Sequence, residues 1–180
     1  MDSGVIAITG VMAAGKSTVA QLVAERLARS AHVHGNDFNL YVVGGRARMD
    51  RRPDGSVSSE AWNQLRLRYR LAALVADEYA RAGFTAVVQD VVTGPLLSEY
   101  VGLFSVRPLH LVVLDPDAAA VARRERDRPK TGYTTWTVEE CVADHRRDTE
   151  RIGLWIDSSE QTPAETADEL VDRLDEARIA

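Results

Sequence analysis
The chain has 180 residues, of which 45% are hydrophobic and 27% are charged, and its formal net charge is −5. These values predict one globular domain over residues 1–180 with no global attraction to nucleic acid. A single cysteine excludes an internal disulfide framework, no apolar run reaches the ~18 residues of a membrane span, and no basic segment typical of a signal peptide opens the chain. We therefore expect a cytoplasmic protein without membrane or nucleic-acid partners.

Short apolar runs alternate with amphipathic segments along the chain. Buried strands are predicted for residues 4–9, 31–35, 84–89, 109–114 and 152–156. Helices are predicted for residues 17–29, 59–82, 95–104, a segment that opens with Asp115 as its N-cap and runs into 123–130, residues 137–151, and a C-terminal segment from 163. Capping boxes at Thr137 and Thr162 are predicted to open the last two helices. Residues 44–59 are polar and rich in helix breakers, and we expect them to be mobile. Parallel strands joined by helices predict a doubly wound α/β sheet.

One motif carries a specific chemistry. Residues 10–17, Gly-Val-Met-Ala-Ala-Gly-Lys-Ser, fit the pattern G-x-x-x-x-G-K-[ST] at every fixed position, between a predicted strand and a predicted helix. Backbone N–H groups of such a loop surround phosphates, its lysine reaches the β- and γ-phosphates, and its hydroxyl binds Mg²⁺. The predicted nucleotide-binding residues are Gly10, Ala13, Ala14, Gly15, Lys16, Ser17 and Thr18, with Ser17 as a metal ligand.

With this motif in place, the chain resembles the small P-loop kinases, which include shikimate kinase, gluconate kinase and the nucleoside monophosphate kinases. It looks most like the chloramphenicol phosphotransferase-like group. The resemblance spans the whole chain, although the P-loop is its one specific motif. It implies a five-stranded parallel sheet, ATP and Mg²⁺ as cofactors, and transfer of the γ-phosphate to a hydroxyl of a small molecule such as an antibiotic or another natural product. It also implies an acceptor-side segment over about 38–59 and a lid over about 117–136.

The resemblance assigns roles to two aspartates. Asp37 follows the second predicted strand, where such kinases place an acidic residue beside the acceptor hydroxyl, and it is the candidate base. The alternative for Asp37 is a helix N-cap. Asp90 ends the third predicted strand, at a Walker B-like position that would hold Mg²⁺ or its water, and its alternative is a cap or turn residue.

Arginines in the lid are the remaining catalytic candidates. Arg124 and Arg128 lie four residues apart in the basic run 123–130 and, together with Lys16, would neutralise charge on the moving phosphoryl group. A solvated helix face is the alternative for this run. Arg66 and Arg70 in the long helix are predicted to face solvent, and the four histidines and two of the tryptophans, Trp136 and Trp155, are predicted to be structural.

Three other functions stay open at this stage. A nucleoside or nucleotide kinase would use the same chemistry on a different acceptor. A regulatory nucleotide-binding module would need a partner surface, and the compact chain carries no appended domain for it. A kinase of nucleic-acid 5′ ends is disfavoured by the net charge of −5.

Overall fold
The computed structural model describes residues 3–128, 132–133 and 135–179. Its central sheet contains five parallel strands in the order β2-β3-β1-β4-β5, which confirms the predicted sheet. The strands are β1 (Val5–Gly10), β2 (Ser30–His34), β3 (Thr85–Gln89), β4 (Leu109–Leu114) and β5 (Leu154–Ile156). A short strand, β6 (Arg178–Ile179), pairs antiparallel with the beginning of β4, where β5 has not yet started.

Helices cover both faces of the sheet, and alternate residues of each strand point to opposite cores. The helices are α1 (Lys16–Arg26), α2 (Gly35–Leu40), α3 (Ser59–Arg81), α4 (Leu96–Val101), α5 (Ala118–Arg126), α6 (Val138–Asp148) and α7 (Pro163–Asp172). Ile6 and Ile8 pack in one core with residues of α1, α5, α6 and α7. Val5 and Ala7 pack in the other core with residues of α3 and α4. The alternation follows from the two-residue period of a strand.

The helix ends agree with the sequence at some caps and differ at others. Thr137 and Thr162 both form the predicted capping boxes. The prediction that Asp115 caps the fifth helix was wrong, because α5 begins two residues later and the carboxylate of Asp117 accepts a hydrogen bond from the Ala120 N–H at 2.7 Å. Asp115 instead binds Arg146. Helix α2 and strand β6 were not predicted, since both are too short to show a hydrophobic period.

The five strands are parallel, so the connections that follow them all lie at one edge of the sheet. The chain moves from β1 outward to β2, returns through β3, and then crosses to β4 and β5 on the other side of β1. Ligands of open α/β sheets bind at the carboxyl ends of the strands where the strand order reverses. This edge carries the P-loop after β1 and Asp90 after β3. In the part of the chain that the structure describes, no helix is long and apolar enough to cross a membrane.

Candidate active site
A cavity of about 1200 Å³ opens at this edge of the sheet. One part, the P-loop half, is lined by residues 11–19 and by the α5 region. The other part, the distal half, is lined by side chains from α2, α3 and residues 90–96. Helix α6, which packs in the core that contains α1 and α5, also lines the cavity. The volume exceeds the usual range for one small ligand, so the cavity can hold a nucleotide and a second molecule together.

The P-loop half is shaped by backbone conformations that follow from its sequence. Gly10 has φ of 140°, and a Cβ at this position would overlap the carbonyl oxygen of Leu114 on the neighbouring strand β4. Glycine is therefore required where β1 turns into the loop. Helix α1 begins at Lys16, and Ser17 and Thr18 in its first turn are exposed. The loop thus directs the positive end of α1 into the cavity, as phosphate binding requires.

Lys16 lies inside the loop. Its Nζ donates hydrogen bonds to the carbonyl oxygens of Gly10 at 3.0 Å and Val11 at 2.7 Å. Lys16 is only 6% exposed as a result. Burial lowers the pKa of Lys16 to about 7, against the opposing attraction of the Asp90 carboxylate. Phosphates entering the loop would offer this ammonium anionic partners in place of two neutral carbonyls.

Asp90 is held by an arginine that the sequence analysis passed over. Its carboxylate accepts hydrogen bonds from Arg68 Nη2 at 2.5 Å, Arg68 Nε at 3.1 Å and the Val91 N–H at 2.7 Å. The side chains of Asp90 and Arg68 are 1% and 14% exposed. Burial raises the pKa of Asp90, and Arg68 opposes that effect. A Cβ on Gly35 would overlap the Asp90 carboxylate, so the glycine lets α2 approach it.

The residues present fit a magnesium ion only in part. Ser17 offers an exposed hydroxyl at the phosphate-facing end of α1, and hard oxygen donors are what Mg²⁺ prefers. Asp90 does not fit as a direct ligand here, because Arg68 and the Val91 N–H occupy its carboxylate. Among the described residues no group of three or more His, Cys, Asp or Glu side chains could hold a metal. A magnesium ion would therefore rely on Ser17, nucleotide phosphates and water, and a role for Asp90 in holding that water stays a prediction.

Asp37 lies in the first turn of α2 and lines the same cavity. It is exposed, and its carboxylate makes no hydrogen bond with another described residue. The helix begins at Gly35 with His34 in the N-cap position, so the alternative that Asp37 caps this helix is not what the structure shows. Asp37 therefore offers an unengaged carboxylate to the cavity.

The two lid arginines have different surroundings. Arg124 donates hydrogen bonds to the carbonyl oxygens of Ala14 at 3.1 Å and Ser158 at 2.5 Å, so it joins the P-loop to the segment after β5. Arg128 pairs with Glu125 at 2.9 Å and its side chain is 40% exposed. Both line the cavity. Lys130, at the end of the predicted basic run, lies outside the described residues.

Helix α6 contributes one wall of the cavity, which the sequence did not predict. Four residues at helical spacing line the cavity, and we call them the α6 wall: Cys141, Asp144, His145 and Asp148. His145, predicted to be structural, is 2% exposed and stacks on Trp155 at a centroid distance of 5.1 Å. Its Nδ1 lies 3.0 Å from Thr149 Oγ1, which accepts a hydrogen bond from the Gly94 N–H at 2.7 Å. These contacts connect α6 to the segment after Asp90.

Two residues outside the regular elements also border the cavity. Trp136, predicted to be core, is half-buried and lines the cavity together with Met49. The guanidinium of Arg51 lies 5.2 Å from the centre of the Trp136 ring. Residues 41–58, all of them described, contain neither helix nor strand. The predicted acceptor-side segment thus contacts the region that follows α5 through this pair, and the mobility of both regions stays a prediction.

Arginines of α3 behave differently from the sequence prediction. Arg66 pairs with Glu99 at 3.1 Å and Arg70 is exposed, as expected for a solvent face. Arg68, between them, is the one that reaches the cavity. A signal for it existed, since Arg68 lies three residues after Leu65 and four before the buried Ala72.

The family model described as an AAA domain matches residues 5–151. Among solved structures, the chain is similar to an unliganded sugar kinase from Janibacter sp. HTCC2649, with 18% identity, a TM-score of 0.67 and coverage of 96% of this chain and 95% of that one. It is similar to the Deinococcus radiodurans tunicamycin resistance protein, with 18% identity, a TM-score of 0.68 and 99% coverage of both chains. A gluconokinase from Sinorhizobium meliloti 1021 has 17% identity, a TM-score of 0.60 and coverage of 96% and 92%. The search of curated proteins gives no match. At these identities the likeness shows the fold, and it confirms the predicted P-loop kinase-like architecture.

Proposed function
Because the chain belongs to the AAA domain family AAA_33, whose model matches residues 5–151, we propose that it is an ATP-dependent phosphotransferase acting on a hydroxyl of a small molecule. The observation that carries the proposal is the common cavity that contains both the P-loop and the unengaged carboxylate of Asp37. A protein that only binds nucleotide needs the first feature and has no use for the second.

The proposed division of labour follows the two halves of the cavity. ATP binds with its phosphates at residues 10–18, where Lys16 and the first-turn N–H groups of α1 hold the β- and γ-phosphates. Arg124 and Arg128 adjoin the same half and would balance charge on the phosphoryl group. A magnesium ion, held by Ser17 and the phosphates, would supply further charge neutralisation. The acceptor binds in the distal half.

In the proposed reaction the acceptor hydroxyl oxygen bonds to the γ-phosphorus while the bond to the β–γ bridging oxygen breaks, and ADP leaves. The hydroxyl proton passes to the Asp37 carboxylate. Such transfers have loose transition states, so Asp37 serves mainly to orient the hydroxyl and to accept its proton late.

We further propose that the acceptor is an antibiotic or another natural product. Support for this narrower proposal is the similarity to the tunicamycin resistance protein over the full length of both chains, at 18% identity. The similar gluconokinase and sugar kinase leave sugars as candidates as well. The cavity of about 1200 Å³ leaves room for an acceptor beside a nucleotide.

A transfer screen tests the proposal. The chain is incubated with γ-labelled ATP and Mg²⁺ against nucleosides, sugars and antibiotics, and products are identified by mass spectrometry. We expect a phosphorylated hydroxyl compound that is absent when Lys16→Ala replaces the wild-type chain. Product formed equally by this variant would contradict a P-loop-dependent reaction.

A further inference from the structure
The charged side chains of the cavity are distributed unevenly between its two halves. Three cations, Lys16, Arg124 and Arg128, border the P-loop half, where the phosphates of a nucleotide would neutralise them. In the distal half the one lining cation within the described residues is Arg68, and Asp90 already pairs with it. The distal half therefore has no spare lining cation, in the described part of the chain, for an anionic acceptor.

Carboxylates, by contrast, remain available in the cavity. Asp144 and Asp148 lie on the α6 wall with side chains 55% and 45% exposed, and Asp37 lies across the sheet edge on α2. Arg147 binds both α6 carboxylates, at 2.7 Å and 2.8 Å, but its own side chain is 65% exposed and does not line the cavity. Ion pairs that are this exposed to solvent contribute little to stability, so both carboxylates can bind a second partner.

A buried polar residue, His145, lies between these two aspartates in the sequence. His145 is 2% exposed, and its Nε2 has no hydrogen-bond partner among the described residues. Burial lowers the pKa of His145 to about 4, so the ring is neutral near pH 7. A buried nitrogen without a partner is costly unless a ligand or water completes it. The α6 wall therefore combines negative charge with a neutral hydrogen-bonding ring.

The same cavity also offers apolar contact area. Apolar and aromatic side chains line it at Met49, Trp62, Leu65, Leu96 and Trp136. Arginines of the neighbouring segment do not change the charge balance, because the four of them, at 46, 48, 51 and 52, are exposed and none lines the cavity. Two have other contacts, Arg48 with Asp50 and Arg51 with the Trp136 ring.

We propose that the acceptor is a hydroxyl compound with an apolar body and a protonated amine, and that the α6 wall binds the amine. This inference rests on the proposed function, since it names the acceptor class of the same site. Asp144 and Asp148 attract the ammonium group, and it donates a hydrogen bond to Nε2 of the His145 tautomer whose Nδ1–H donates to Thr149 Oγ1. An acceptor that carries a carboxylate or phosphate is disfavoured, because it would meet like charge on α6 and on Asp37.

Three probes of similar size test the charge preference. Phenylalaninol carries an amine and a hydroxyl, N-acetylphenylalaninol lacks the charge, and 3-phenyllactate carries a carboxylate. Binding to the full chain is measured calorimetrically in the presence of ADP and Mg²⁺. We expect affinity for the three probes to fall in that order. Each protein carboxylate with which a probe gains or loses an interaction should change the affinity by about two- to fivefold. Equal binding, tighter binding of 3-phenyllactate, or no binding of phenylalaninol would overturn the proposal.

Variants on α6 locate the preference. Asp144→Asn with Asp148→Asn should remove most of the advantage of phenylalaninol over its acetylated form. Arg147→Gln should increase that advantage, because it leaves both carboxylates without their outer partner. Glu139→Gln is the matched control, since Glu139 is exposed on the same helix and does not line the cavity. If the control alters the preference as much as the double variant does, α6 acts only through its overall charge and the assignment of the wall is wrong.

Binding and transfer are recorded on the same samples, which separates the two proposals. The expected binding order without phosphate transfer to any compound would count against the kinase and leave the site assignment standing. Transfer that favours acidic acceptors would keep the kinase and overturn the α6 wall as an amine site.

Discussion
The P-loop half of the cavity is formed mainly by one continuous segment, residues 11–19, whereas the distal half is assembled from α2, α3 and residues 90–96. In the first, backbone N–H groups and one lysine face a charge that every nucleotide carries. In the second, side chains from distant parts of the sequence form pairs such as Arg68 with Asp90. The nucleotide site therefore depends on local sequence, whereas the proposed acceptor site depends on tertiary contacts. Changes in the two halves should therefore differ in what they damage.

The largest expected effect lies in the P-loop half. Lys16→Ala should lower phosphate transfer by at least ~10³-fold and weaken ATP binding, because the ammonium group contacts the phosphates throughout the reaction. Folding should be retained, since among the described residues Nζ binds only the carbonyl oxygens of Gly10 and Val11. Transfer kinetics and ATP titration, with thermal unfolding as the check on folding, measure these effects. Wild-type turnover in this variant would contradict the role of the loop.

The next largest effect is a loss of stability when the Arg68–Asp90 pair in the distal half is broken. Arg68→Met should destabilise the chain by about 3 kcal/mol, because it leaves the buried carboxylate of Asp90 without its cation. Arg66→Met is the matched control, because the Arg66 side chain is 42% exposed in its pair with Glu99. This substitution should change the free energy of unfolding by less than about 0.5 kcal/mol. Urea unfolding measures both. Equal effects of the two substitutions would show that the Arg68–Asp90 pair contributes no more than a surface pair.

Asp37→Asn separates the two halves functionally. ATP affinity should change little, because Asp37 lies on α2 outside the P-loop. Transfer should fall by about 10²-fold, at the lower end of what a positioned base contributes, since the transition state is loose. The two quantities are measured on one preparation. A loss of ATP binding would place Asp37 in the nucleotide site, and transfer within a few-fold of wild type would remove its assignment as the base.

The smallest effect concerns acid stability. The pKa of His145 is about 4 in the folded chain against about 6.5 when unfolded, so the unfolded state binds more protons between these values. Stability should therefore fall by about 2 kcal/mol through this residue between pH 7 and pH 5. His145→Gln should remove that part of the pH dependence, which urea unfolding at the two pH values measures. An unchanged difference between pH 7 and pH 5 would show that His145 titrates normally.

The sequence predicts the parts of the molecule whose signals are local. The P-loop motif fixes both its own position and the strand and helix around it, and the sheet follows from alternating apolar runs. Asp37 and Asp90 could be placed at the strand ends, because parallel strands all end at one edge. His145 could not be assigned in this way, and Arg68 could be assigned only through its spacing from Leu65 and Ala72, since both positions depend on how α3 and α6 pack. Asp115 was taken for a cap because an Asp-Pro pair is a typical helix start, whereas tertiary pairing with Arg146 occupies it.

The most direct test of the central claim is the fate of the γ-phosphate. Labelled ATP is incubated with the chain and an acceptor found in the screen, and the label is divided among ATP, inorganic phosphate and the acceptor. The account predicts that label accumulates on the acceptor hydroxyl faster than as inorganic phosphate, and that Asp37→Asn slows the first without slowing the second. Label that appears only as inorganic phosphate, with or without the acceptor, would contradict phosphotransferase activity and indicate a nucleotide-hydrolysing module instead.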